Sequence, residues 1–133
     1  MKSIGKIVYS PRTHLSSSDN WIVLMCDDEI SKYYRYLYEK EYPYLNGDRS
    51  RKLTRPVWGA HISVVRNEKI TIPQRLDERK IIQFEYEAGV QDNNEYYWLR
   101  VNCLYLEDLR QRLGLSPQPR FGFHLTIGRT TNG

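Results

Sequence analysis

Cysteine is nearly missing from this chain: Cys26 and Cys103 are the only two in 133 residues. They stand far apart in apolar runs, so they read as small buried thiols rather than a disulfide framework or a metal site. Long hydrophobic runs are missing as well. No stretch approaches transmembrane length, and Met1-Lys2-Ser3-Ile4-Gly5 offers no apolar signal core. The expectation is a cytoplasmic protein with no membrane partner. There is no long Lys/Arg tail, which argues against counterion-release binding of duplex DNA. No segment rich in Gly, Ser or Pro divides the chain, so residues 1–133 are expected to form a single domain, a plausible size for one core.

What is present fits a globular chain: 40% hydrophobic and 27% charged residues. The net charge of +4 is compatible with an anionic substrate without identifying one. Eleven tyrosines are a large share. An apolar ring with a polar tip suits a core edge and equally a half-wet groove.

Along the chain, Ile4 to Ser10 predicts a strand that stops at Pro11, and Pro11 to Asn20 predicts a polar loop placed to serve as a lid. Trp21 to Cys26 reads as a buried strand. Acid at Asp27, Asp28 and Glu29 then opens a helix with Ile30, Tyr33, Tyr34, Leu37 and Tyr38 on one stripe, ending near Pro43. Leu45 to Pro56 is a basic loop, and Trp58 to Arg66 a strand. Lys80 to Tyr86 and Tyr96 to Cys103 suggest a hairpin. A second helix runs from Leu106 to Leu113 and is stopped by Gly114, with Phe121 to Arg129 as the last strand. The expected fold class is α+β, in two pseudo-symmetric β-β-α-β halves.

Those halves share a repeat. Trp58-Gly59-Ala60-His61-Ile62-Ser63-Val64-Val65-Arg66 aligns without a gap on Phe121-Gly122-Phe123-His124-Leu125-Thr126-Ile127-Gly128-Arg129. Strand alternation puts Gly59, His61 and Ser63 on one face, and Gly122, His124, Thr126 and Gly128 on the matching face. The opposite face is apolar. If the two strands meet about a pseudo-twofold axis, two imidazoles flank one site, one taking a proton while the other gives one. The hydroxyls of Ser63 and Thr126 can then bond phosphate oxygens. A His-x-Ser pattern without a third His or a nearby carboxylate is a poor zinc site, so neither metal nor cofactor is expected. Arg66 and Arg129, at equivalent strand ends, are either phosphate contacts or solvated charges. Tyr9, Arg12 and Trp58 are candidate stacking or phosphate contacts. His14 has no partner motif and is expected at the surface.

The paired motif resembles the 2H phosphoesterase superfamily, which carries two His-x-Ser/Thr motifs. That resemblance implies a bilobal fold with antiparallel sheets around a central groove, His61 and His124 as the catalytic pair, and Ser63 and Thr126 as phosphate-oxygen ligands. The segments Arg55 to Arg66 and Ile30 to Arg35 are more similar to one branch, the bacteriophage anti-CBASS nucleases. For this chain that implies cyclic di- or trinucleotide substrates, cleavage of 3′-5′ bonds, and action in the host cytoplasm. Nine residues follow His124, which leaves any cap over the ligand to another segment, a partner subunit or an open groove. The alternatives are a phosphodiesterase acting on 2′,3′-cyclic ends of short RNA, and a non-catalytic protein that sequesters nucleotides.

Overall fold

A computed structural model describes residues 1–9, 21–45, 47, 51–56, 59–71 and 74–130. The elements in chain order are β1 (Lys2–Tyr9), β2 (Trp21–Cys26), α1 (Asp28–Leu45), β3 (Leu53–Thr54), β4 (His61–Arg66), β5 (Ile81–Asp92), β6 (Tyr96–Asn102), α2 (Leu104–Arg112) and β7 (His124–Thr130). Every strand pairing is antiparallel. The order β7-β4-β2-β1-β5-β6 returns to β7, so six strands close into a barrel, and β3 is added on the β7 edge.

This closure corrects the bilobal expectation. Two halves around a central groove would leave separate sheets, whereas β1 pairs with β5 and β4 with β7, joining the halves at both seams. The physical reason is edge satisfaction: unpaired strand edges are a liability, and closure removes them. The second seam is narrow, a single pair between Ile62 and Leu125.

Alternation sets what is buried. Ile62 and Val64 on β4, and Leu125 and Ile127 on β7, are fully buried. They join one cluster with Leu106, Leu109 and Leu113 from the α2 region and Tyr34 from α1. Each such aliphatic side chain is stabilising by roughly 1.5–3 kcal/mol relative to exposure. On α1 the buried face holds Ser31 and Tyr34, with Ile30, Leu37 and Tyr38 partly covered. Tyr33, expected on that stripe, is 55% exposed. The helix also runs on past Pro43 to Leu45.

The described strands carry three register shifts, one between β5 and β6 and two at matching places in the repeat. Between β2 and β4 the register jumps from Ile22↔Val65 to Val23↔Ser63, leaving Val64 as the extra residue. Between β6 and β7 it jumps from Tyr97↔Gly128 to Trp98↔Thr126, leaving Ile127. These are equivalent positions, each three residues after the motif histidine. A bulged residue loses its ladder partner, and a buried carbonyl must find another. Helix arginines supply it: Arg110 of α2 donates to the Val64 carbonyl at 2.7 Å, and Arg35 of α1 donates to the Ile127 carbonyl at 2.8 Å. Each helix thus clamps the strand belonging to the other half. Among the described residues no helix is long and apolar enough to cross a membrane.

Candidate active site

The second residue of each repeat is a glycine in left-handed backbone, Gly59 at φ 76° and Gly122 at φ 71°. Neither lies in a strand, since β4 starts at His61 and β7 at His124. The expectation that these glycines line the histidine face is therefore corrected. Their positive φ, which costs a side-chain-bearing residue about 1–2 kcal/mol, turns the local backbone instead. In each copy the glycine carbonyl meets the imidazole two residues on: His61 Nδ1 is 2.9 Å from the Gly59 oxygen, and His124 Nδ1 is 3.2 Å from the Gly122 oxygen. A carbonyl only accepts, so each Nδ1 carries hydrogen and donates. The neutral imidazole then presents Nε2 as an acceptor, which fixes the chemistry available to it.

The two histidines face one space. Around the Ile62↔Leu125 pair, continuing the antiparallel register by one residue sets His61 across from Thr126 and Ser63 across from His124. All four are half-buried. A cavity of about 570 Å³ is lined by His61, His124, Thr126, Arg66 and Arg129, together with Arg55, Pro56, Asn93, Tyr96, Trp98, Phe121 and Gly128. Its volume falls in the range of small-molecule sites. Ser63 is not among its lining residues. Burial, the largest influence, lowers the proton affinity of His124 below the usual histidine value; the charges of His61 and Arg66 add to that, against the opposing bond to Gly122.

The bulges explain the arginines. Strict alternation would put Arg66 on the buried face with Ile62 and Val64, and Arg129 with Leu125 and Ile127. One extra residue in each strand reverses the parity, so both arginines reach the cavity. The same reversal turns the Cβ direction of Gly128 away from the cavity, which the glycine lines with its backbone alone. A Cβ there would stand 2.6 Å from the Thr54 carbonyl and 3.1 Å from Arg35 Cδ, so the glycine admits the close approach of β3 and α1.

Tyr9 is misplaced by the sequence reading. It is 4% exposed, on the face of Gly5 and Ile7, and its hydroxyl donates to the Leu76 carbonyl at 2.7 Å. Burial, with the nearby charges of Asp77 and Glu78, pushes its hydroxyl up to about 12. It packs in the core and does not line the cavity. Arg12, Trp58, His14 and the expected lid from Pro11 to Asn20 lie outside the described residues.

Aromatic neighbours were missed. Trp21 of β2 sits edge-on to His61, and Trp98 of β6 edge-on to His124, each with ring centroids 6.2 Å apart. Tyr96 and Phe121 add partly or largely exposed rings to the cavity wall. Trp98 had a sequence signal, since it alternates with Tyr97 and Leu99, both fully buried. The register that carries it to His124 had none. Among the described residues no group of three or more His, Cys, Asp or Glu comes together as metal ligands.

Compared with known proteins, the chain matches no family model, and neither curated proteins nor solved structures give a match.

Proposed function

We propose that this protein is a metal-independent phosphodiesterase in which His61 and His124 work as an acid/base pair on one phosphodiester. A single observation carries the reading: two histidines on neighbouring strands, each with Nδ1 held by a glycine carbonyl, share one cavity with two arginines.

In the proposed reaction a ribose 2′-OH attacks the adjacent 3′-5′ phosphodiester. His124 Nε2 takes the 2′ proton; burial favours its neutral form, as a base requires. His61, protonated, gives a proton to the departing 5′ oxygen. The products are a 2′,3′-cyclic phosphate and a free 5′-OH. Water then opens the cyclic phosphate with the two roles exchanged. Thr126, which lines the cavity, bonds a nonbridging oxygen in this reaction, and Arg66 and Arg129 offset the charge that grows in the transition state.

The substrate class that suits this site is a cyclic di- or trinucleotide with 3′-5′ bonds, the chemistry of immune signals that anti-CBASS nucleases degrade. A compact cavity walled by Tyr96, Trp98 and Phe121 offers ring faces for bases, each worth about 1–3 kcal/mol when stacked. Incubation with cyclic di- and trinucleotides and 2′,3′-cyclic-ended RNA, all in EDTA, tests the proposal. Product masses should show cleaved cyclic nucleotides carrying a cyclic or terminal phosphate. Preferred turnover of RNA ends would change the substrate, and inertness across the panel would leave a sequestering protein.

A further inference from the structure

The two copies of the motif differ in what stands behind the glycine. In the first, the Asp28 carboxylate accepts the Ala60 N–H at 2.6 Å. The Ala60 N–H and the Gly59 C=O belong to the same peptide unit, and that carbonyl accepts the His61 Nδ1–H at 2.9 Å. The groups therefore form an unbroken row: carboxylate, peptide, imidazole. Hydrogen bonds in such a row polarise one another, because a charge on the N–H end enriches the electron density of the carbonyl end. Gly59 is needed for the geometry twice over, for its φ of 76° and because a Cβ would stand 3.0 Å from Asp28 Oδ1. Beside Gly122 the nearest group is the neutral Gln118 amide oxygen, 3.8 Å from where a Cβ would be. There the Nδ1-to-carbonyl distance is 3.2 Å.

We infer that Asp28 is a positioning residue for His61, acting through the peptide between Gly59 and Ala60 to hold the imidazole as its Nδ1–H tautomer with Nε2 facing the cavity. Free imidazole side chains lean toward the Nε2–H tautomer, so the arrangement needs a strong acceptor at Nδ1, and the charged carboxylate strengthens the carbonyl available. The chain reaches this position because Asp28 opens α1 immediately after β2, while β2 pairs with β4 and sets Met25 against His61. A carboxylate in the first helical turn also favours the helix, so a merely structural role is the competing explanation.

The catalytic consequence rests on the two-histidine reading above, whereas the tautomer does not. The test is nitrogen NMR of the full chain labelled in its histidine side chains, with both imidazoles neutral, for wild type, Asp28→Asn and Asp28→Ala. In wild type His61 should be mainly Nδ1–H. Asp28→Asn keeps the shape and removes the charge, so the His61 Nδ1–H fraction should fall; in Asp28→Ala it should fall further. His124 should not move in either. With a substrate in hand, kcat should drop at unchanged KM, by less than the about 10²–10⁴-fold that losing general acid–base catalysis outright costs. A wild-type His61 signature in Asp28→Asn overturns the inference, as does an equal change at His61 and His124, which would mean general loosening. If Asp28→Ala does not fold, Asp28→Asn alone decides. Inert wild-type protein with the expected tautomer shifts would sink the phosphodiesterase reading and still support the role of Asp28.

Discussion

The His61 copy and the His124 copy of the motif match in backbone geometry and part in charge, and also in the hydroxyl, since Thr126 lines the cavity and Ser63 does not. Both have a left-handed glycine, a carbonyl-held Nδ1, an edge-on tryptophan and a bulge three residues on that turns an arginine into the cavity. Behind the first copy stands the Asp28 carboxylate; behind the second, a neutral amide. The clamps differ too. Arg110, 1% exposed, forks both nitrogens onto the Glu68 carboxylate at 2.7 Å and also bonds the Ser116 carbonyl at 2.8 Å. Arg35 is only half-buried, and burial lowers its proton affinity against the helping charge of Glu39. In the proposed reaction, matched geometry would bring two imidazoles to one substrate, and unmatched electrostatics would let one act as base while the other acts as acid.

The sharpest way to break the comparison is to remove either histidine. His61→Ala and His124→Ala should each lower turnover by about 10²–10⁴-fold, and the double variant should be hardly worse than either, because an acid and a base acting together fail together. Two independent, multiplying losses would show that the imidazoles do not act on one phosphodiester.

The clamps come next. Arg110→Ala takes a buried guanidinium from the Glu68 carboxylate and from the Val64 and Ser116 carbonyls, and should cost about 3–5 kcal/mol in urea unfolding. Arg35→Ala loses one charged hydrogen bond and should cost about 1.5–3 kcal/mol. Equal losses would mean that the Glu68 pair contributes nothing beyond the carbonyl bond. Hydrogen-bonding to Arg110 holds the Glu68 carboxyl below its usual range, so the difference between the two variants should shrink as acid protonates that carboxylate.

A smaller contrast separates the glycines. Gly122→Ala should cost about 1–2 kcal/mol for its backbone alone, since among the described residues only Gln118 lies within ordinary contact of the added Cβ. Gly59→Ala should cost more, because it also displaces Asp28. Thermal or urea midpoints of the pair decide it.

The smallest effects are in pH. The folded-state proton affinity of His124 lies below its unfolded value, which is about 6.5. Its contribution to stability is complete above that value and is lost as pH falls from there through the lower folded-state pKa. His124→Gln should flatten this acid loss in urea midpoints. Arg66→Gln removes a lowering charge, so the acidic limb of kcat/KM should move to higher pH. An unmoved limb would take His124 out of the role of base.

The chain displayed part of this in its residues. The bounds of β2 and the presence of both histidines on equivalent strands follow from an apolar run and a gapless repeat. Closure did not, because the Ile62–Leu125 seam is one pair wide and leaves no pattern in either strand. Tyr9 shows the limit of reasoning from position: expected as a stacking or phosphate contact near a strand end, it alternates in phase with Gly5 and Ile7 on the buried face. The bulges at Val64 and Ile127 were hidden for a related reason. A bulge shows only in the register between two strands, and without it strict alternation sets Arg66 and Arg129 in phase with core residues, so only their place at equivalent strand ends pointed to phosphate or solvent. Asp28, Arg110 and Glu68 act across sequence separations that no local pattern spans.

The most direct measurement is a matched pair of cyclic trinucleotides, one all-ribose and one lacking the 2′-OH next to each 3′-5′ bond, both incubated with the protein in EDTA. The ribose substrate should be cut to a product with the mass of a 2′,3′-cyclic phosphate, and the deoxy substrate should survive intact. Equal cleavage of the two, or cleavage only when a divalent metal is restored, would contradict paired histidine catalysis through the 2′-OH.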